Sequence, residues 1–176
     1  MTDSATELVA ATDAHFAWLL RGEPAELDGL RQPPGGVDDR IVIEHVRAIA
    51  RRLVAAGSAA SWLIVAAGEV VGLSGHKRPL DTRGAVEIGY NVAPTRRSLG
   101  HATRAVGEML RLARADTSVA TLTAQVLVSN VGSERALRAN GFARTGMWTD
   151  AREGDVGQWR ADAKSAVQHP FNTTVS

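Results

Sequence analysis

The chain has 176 residues, a length typical of one domain, and hydrophobic residues make up 44% of it, so it can bury a sizeable core. Twenty basic and nineteen acidic side chains leave a formal net charge of +1, which argues against a dedicated binder of nucleic acid or anionic membranes. The absence of cysteine excludes disulfides, thiolate nucleophiles and cysteine zinc sites. The five histidines have no metal-ligand spacing, so we expect no metal site.

The chain start, Met1–Ser4, lacks the basic and apolar regions of a signal peptide, and no apolar run approaches the roughly 20 residues of a membrane span. We therefore expect a cytoplasmic protein. One domain is predicted over residues 1–164, followed by a flexible tail over 165–176, where apolar periodicity is low.

Hydrophobic periodicity predicts seven strands and four helices. The strands are expected at 5–12, 62–66, 70–76, 85–92, 121–128, 142–148 and 156–160, with a hairpin turn at Gly68-Glu69. The helices are expected after a cap at Asp13, then over about 42–56, 101–115 and 132–139. Residues 22–40 contain four glycines and three prolines and are predicted to form a loop. This order predicts an α/β fold with a mixed, mostly antiparallel sheet.

The segment between the fourth predicted strand and the third predicted helix is the most informative one. The strand ends before Pro94, Arg96 and Arg97 follow, and a turn of small residues at Gly100 and Ala102 opens the helix. The unpaired N–H groups at such a helix start can bind phosphate, and an arginine can add charge-assisted bonds. An ordinary strand–helix turn with surface arginines is the other interpretation. The segment is neither a GxxxxGK[ST] loop nor a GxGxxG turn.

Several motifs resemble those of the GNAT superfamily of N-acetyltransferases. Arg97-x-x-Gly100-x-Ala102 resembles its Q/R-x-x-G-x-G/A coenzyme A signature, and Glu87-Ile88-Gly89-Tyr90 resembles its E-I-G-Y/W strand. Downstream, Asn130-x-x-Ser133 and Asn140-Gly141-Phe142 resemble its N-x-x-S and G-F segment. These details resemble the branch that acetylates ribosomal-protein N-termini, a branch that also contains small-molecule enzymes.

The resemblance implies an acetyl-CoA co-substrate and direct attack by a primary amine, from a protein N-terminus or a small molecule, in a ternary complex. A homodimer is compatible with the family. The implied coenzyme contacts are Val92, Arg97, Ser98, Leu99, Gly100, His101, Ala102, Thr103, Asn130 and Arg135. We expect the imidazole of His101 to point to water.

Two residues are candidates for catalysis. Strand alternation places Glu87 on one face with Ala85 and Gly89, where a carboxylate can deprotonate the amine; the other interpretation is a glutamate on a solvated sheet face. The family's usual tyrosine is missing from residues 131–140, so Ser133 is the candidate proton donor to the thiolate, or else the cap of its own helix.

The family also implies an oxyanion donor in the backbone N–H near Val92. Tyr90, the chain's only tyrosine, is expected to pack in the core. The missing helix tyrosine keeps a second function open, an inactive module that binds acyl-CoA. Acidic side chains of the 22–40 loop either attract a cationic amine or are simply solvated.

Overall fold

The computed structural model describes residues 5–22, 24–58 and 61–164. A seven-stranded sheet is its centre, with the strand order β1-β2-β3-β4-β5-β7-β6. Only β4 and β5 pair in parallel, so the predicted mixed, mostly antiparallel sheet is confirmed. The strands are β1 (Thr6–Ala10), β2 (Ser61–Ala66), β3 (Glu69–His76), β4 (Ala85–Val92), β5 (Thr121–Leu127), β6 (Ala143–Asp150) and β7 (Gly154–Asp162).

Four α-helices cover the two faces of this sheet in pairs. They are α1 (Asp13–Arg21), α2 (Arg40–Ala55), α3 (His101–Ala115) and α4 (Val131–Ala139), and a short 3₁₀ turn spans Pro94–Arg96. On one face, buried side chains of α3 and α4 such as Val106 and Leu137 share a core with Ile88 of β4. On the other face, α1 and α2 pack onto β2 and β3 through residues such as Phe16 and Leu53.

The start of α1 differs by one residue from the predicted cap. Thr12 is the N-cap, because its hydroxyl accepts a hydrogen bond from the His15 N–H while the His15 ring accepts from the Thr12 N–H. Asp13 instead pairs with Arg47 and Arg51 of α2, at 2.6 and 2.7 Å. Hydrogen bonds from these arginines hold the pKa of Asp13 well below its usual range. The predicted cap residue therefore joins α1 to α2.

The hairpin between β2 and β3 also turns one residue earlier than predicted. Ala67 and Gly68 form the turn, with φ of 48° and 74°, and Glu69 already pairs with Ala66. A tight two-residue hairpin needs positive φ at both central residues, which glycine favours at the second position. The first strand is shorter than its predicted 5–12 span, and the last two strands extend further than 142–148 and 156–160.

No helix in the described part of the chain is long and apolar enough to cross a membrane. Among those residues there is also no group of three or more histidine, aspartate or glutamate side chains that could hold a metal ion. The predicted tail over 165–176 lies outside the described residues.

Candidate active site

A gap between β4 and β5 forms the centre of the candidate site. The two strands pair only from Ala85 with Thr121 to Ile88 with Ala124, although β4 continues to Val92 and β5 to Leu127. Beyond Ile88 their facing edges are unpaired, so the strands splay at their carboxyl ends. This splay exposes the backbone near Val92, where the family resemblance implies an oxyanion donor.

Backbone groups of β4 point into this gap. The Ala93 N–H donates to Val71 of β3 at 2.8 Å, and the Glu87 carbonyl accepts from Lys77 on the same side. Because successive residues of a strand point their backbone groups to opposite edges, Tyr90 and Val92 direct theirs towards β5. These N–H groups have the direction expected of an oxyanion donor.

The turn before α3 brings a second set of N–H groups to the same end of the sheet. Gly100 is the N-cap in the left-handed conformation, with φ of 77°, and it contributes no side-chain cap. Ser98 is also left-handed, with φ of 63°, which is uncommon for a residue with a side chain. The first N–H groups of α3, from His101 to Thr103, have no partner within the helix and lie at its positive dipole end. Leu99 is exposed on this turn.

The two arginines of the turn have different roles. Arg96 makes two hydrogen bonds to Glu69, at 2.5 and 3.1 Å, and so fixes the loop to the start of β3. Arg97 is exposed, and its Nε donates to the Val92 carbonyl at 3.3 Å. Of the two, only Arg97 leaves most of its guanidinium available to a phosphate.

The side chain of His101 is not directed to water, which corrects the sequence prediction. It is 6% exposed, and its Nδ1 lies 3.0 Å from the Thr6 hydroxyl of β1. Burial, together with the positive charges of Arg104 and Arg96, lowers the pKa of His101. Its ring therefore joins α3 to β1, and only its backbone N–H remains for a coenzyme.

Strand alternation predicts that Glu87 shares a face of β4 with Gly89, and this is the face that α1 and α2 cover. Glu87 is not a solvated glutamate there. Its side chain is only 10% exposed. Lys77 Nζ lies 3.1 Å from one carboxylate oxygen, and Arg78 Nε lies 3.4 Å from the other. The carboxylate thus lies between the side chains of Lys77 and Arg78, contacts that strand alternation alone does not predict.

The start of α4 lies on the opposite face of β4. Asn130 is the N-cap and accepts from the Ser133 N–H at 3.1 Å, so the interpretation of Ser133 as the cap is wrong. Tyr90 reaches this turn, where its hydroxyl donates to the Ser133 carbonyl at 3.1 Å. Burial raises the pKa of Tyr90 to about 12. Tyr90 is half-buried against the core, as expected, but its hydroxyl lies beside the predicted proton donor. Arg135 is exposed on the same helix.

A cavity of about 160 Å³ lies between α2 and the face of β3 and β4 that carries Glu87. Gly89 and Asn91 of β4 line it, together with Leu73, Ser74 and Gly75 of β3. The rest of its lining comes from α2 and the neighbouring strands, and includes His45, Val46, Ile49, His76 and Lys77. It is similar in size to a cavity of about 150 Å³ that takes up one benzene molecule.

Two acidic side chains in the described part of the 22–40 loop make contacts within the fold. Asp38 accepts a hydrogen bond from the Asn91 side chain at 2.5 Å, and Asp28 pairs with His15 at 3.1 Å. Two of the acidic residues predicted either to attract an amine or to be solvated thus have partners within the fold.

Comparisons with known proteins agree with this architecture. The family model described as "Acetyltransferase (GNAT) domain" matches residues 7–143. A search of curated proteins gave no match. Among solved structures, the fold is similar to the acetyltransferase of Salmonella typhimurium that modifies the N-terminal serine of ribosomal protein L7/L12. That pair has 19% identity and a TM-score of 0.68 over 90% of this chain and 95% of the other.

Two other similar structures are acetyltransferases named for spermidine and for aminoglycosides. A spermidine N-acetyltransferase chimera from Vibrio cholerae and hSSAT has 15% identity and a TM-score of 0.64, covering 91% of this chain and 96% of its own. An aminoglycoside acetyltransferase in complex with coenzyme A has 17% identity and a TM-score of 0.63, covering 89% and 94%. At these identities the likeness establishes the shared fold.

Proposed function

The chain belongs to the GNAT acetyltransferase family, and we propose that it transfers the acetyl group of acetyl-CoA to a primary amine bound on the Glu87 side of the gap. The observation that carries this proposal is the splay of β4 from β5 directly beside the uncapped start of α3. The family match supplies the reaction and its co-substrate, while the acceptor and the residue roles below are proposals.

The coenzyme is proposed to lie along the gap with its pyrophosphate at the turn before α3. The N–H groups from His101 to Thr103 would bind the phosphate oxygens, with Arg97 adding a charge-assisted bond. Ser98, Leu99 and Gly100 form the turn around this position, with Ala102 in the first turn of the helix. On the α4 side, Asn130 and Arg135 would contact the rest of the coenzyme. Val92 would bond its pantetheine arm and, with Tyr90, direct an N–H at the oxyanion.

The acceptor amine is proposed to enter through the cavity between α2 and β4. It would lose a proton to Glu87, directly or through water, and attack the thioester carbonyl carbon. The C–S bond then breaks, and the departing thiolate takes a proton or a hydrogen bond from Ser133, with the Tyr90 hydroxyl beside it. The base and the donor lie on opposite faces of β4, so the thioester would lie between them.

The size of the cavity limits how much of the acceptor is enclosed. About 160 Å³ holds an amine and a short apolar stem, but not a whole aminoglycoside or folded peptide. We therefore expect that the rest of the acceptor stays outside, against the 22–40 loop.

Thermal unfolding with acetyl-CoA, and with ATP and NAD as controls, tests the coenzyme site. Ligand at about 100 times its Kd should add about 2.7 kcal/mol, which corresponds to a rise of roughly 5–10 °C for a chain of this size. A rise with acetyl-CoA alone supports the proposal. No rise at millimolar acetyl-CoA would show that the turn binds no coenzyme.

Turnover is tested by thiol release with a panel of amines: an N-terminal serine peptide, spermidine and an aminoglycoside. The chain has no cysteine, so a thiol reagent detects only released coenzyme A. Glu87→Gln should lower kcat by about 10²–10⁴-fold while the acetyl-CoA shift in Tm is kept. Binding without turnover across the panel would instead favour the inactive acyl-CoA-binding module.

A further inference from the structure

Lys77 holds a primary amine at the position that the proposed acceptor must reach. Its Nζ lies 3.1 Å from Oε1 of Glu87, the proposed base. The backbone fixes this pairing, because the Lys77 N–H donates to the Glu87 carbonyl at 2.8 Å. The proposed transfer reaction likewise requires the acceptor amine to lie beside the Glu87 carboxylate.

The stem of Lys77 is directed towards the gap. A Cβ atom at Gly89 would lie 3.3 Å from both Cγ and Cδ of Lys77, so the stem crosses the backbone at Gly89. Gly89 is the first residue of β4 beyond the last pair with β5, Ile88 with Ala124. The absence of a side chain at Gly89 therefore leaves room for the Lys77 stem to cross β4 beside the first unpaired residue, with its amine against Glu87.

We propose that the enzyme acetylates its own Lys77. This inference rests on the proposed function, which supplies the acetyl-CoA. The Lys77 ammonium gives one proton to Glu87, and the free amine attacks the thioester carbonyl carbon. The new C–N bond forms, the C–S bond breaks, and the coenzyme A thiolate takes up a proton. The products are Nε-acetyl-lysine and coenzyme A.

Acetylation changes the electrostatics of the site. The acetylated side chain is neutral and no longer pairs with the carboxylate. Glu87 then keeps only the contact with Arg78, whose Nε lies 3.4 Å away and whose side chain is 73% exposed. The ammonium of an external acceptor then no longer competes with a Lys77 ammonium for the Glu87 carboxylate.

The chain provides its own matched control, because Lys164 is its only other lysine. Lys164 Nζ donates to the Thr117 carbonyl at 2.6 Å, beside the start of β5. Slow chemical acetylation by acetyl-CoA acts on both lysines, whereas catalysed transfer acts on Lys77 alone.

The test incubates the intact protein with carbon-13-labelled acetyl-CoA and follows each lysine by peptide mass spectrometry. Lys77 should gain label at least about tenfold faster than Lys164, and Glu87→Gln should remove that advantage while leaving the rate at Lys164 unchanged. The rate per molecule should not change on tenfold dilution, because the transfer is intramolecular. Lys77→Arg keeps the ion pair and should show no label at position 77.

Equal rates at the two lysines in the unmodified protein would overturn the inference, and this comparison needs no variant. A Lys77 rate that is unchanged in a folded Glu87→Gln variant would also overturn it. If panel amines accept acetyl while Lys77 stays unlabelled, only self-acetylation fails. If acetyl-CoA neither binds nor reacts with any amine, the proposed function itself fails.

Discussion

Replacing Gly72 with alanine should force β3 and β4 apart at the part of β4 that carries the site. A Cβ at Gly72 would lie 2.2 Å from the Asn91 carbonyl oxygen and 3.2 Å from its carbonyl carbon. These are backbone atoms, so no side-chain rotation relieves the clash. Because non-bonded atoms prefer separations of about 3.5 Å, the strands must move by roughly 1 Å.

The loss of unfolding free energy depends on what the added methyl group meets, which here is the backbone of Asn91. Added methyl groups in a packed interior destabilise by about 1–3 kcal/mol, and a backbone clash belongs at the upper end. For a chain of this size each kcal/mol shifts Tm by about 2–4 °C, so Gly72→Ala should lower Tm by roughly 6–12 °C. Because Asn91 also holds Asp38, the same shift should weaken acceptor binding and raise its KM.

Gly146→Ala is the matched control. Gly146 also lies in a strand, but a Cβ there would meet only the Gln158 Cβ at 3.7 Å, an ordinary contact. The control should change stability by less than about 0.5 kcal/mol. Urea unfolding and thermal scans of both variants measure the difference. A Gly72→Ala protein that melts within about 2 °C of the parent would refute the argument.

Three further predictions address single contacts. Burial raises the pKa of Tyr90 to about 12 in the folded protein, against about 10 in the unfolded chain. The contribution of the neutral tyrosine to the free energy of unfolding is therefore complete below about pH 10 and is lost between about pH 10 and 12. Tyr90→Phe should flatten this part of the stability profile, and tyrosinate absorbance of the folded parent near pH 10 would contradict the assignment. Asn130→Ala should cost about 1 kcal/mol of unfolding free energy through the lost cap of α4, while Asn130→Asp should cost far less. Arg97→Ala should raise the KM for acetyl-CoA about tenfold at low salt and less at high salt, with Tm unchanged. Arg96→Ala should instead lower Tm, because Arg96 fixes the loop to Glu69. The opposite result would mean that Arg96 binds the phosphate and Arg97 holds the loop.

The local sequence pattern was sufficient for most of the fold. Helical spacing predicted α3 over 101–115, and period-two alternation predicted β4 over 85–92 and the face that carries Glu87, all as observed. These features depend on residues a few positions apart. The period at which hydrophobic residues recur shows which side of a helix or strand is buried. Boundaries set by one or two local hydrogen bonds, such as the Thr12 cap and the Ala67–Gly68 turn, were each predicted one residue too late.

Tertiary structure alone decided which side chains meet at the site. The Tyr90 hydroxyl contacts Ser133 across 43 residues, and His101 contacts Thr6 across 95. Such contacts depend on strand order and register, which place distant segments side by side and leave no local periodic signal. The sequence by itself was enough to predict a coenzyme turn and a candidate base, because each prediction rests on a short contiguous motif. Only the assembled sheet placed Lys77 against Glu87 and opened the gap beside them. The first contact requires the pairing of β4 with β3, and the gap requires the pairing of β4 with β5.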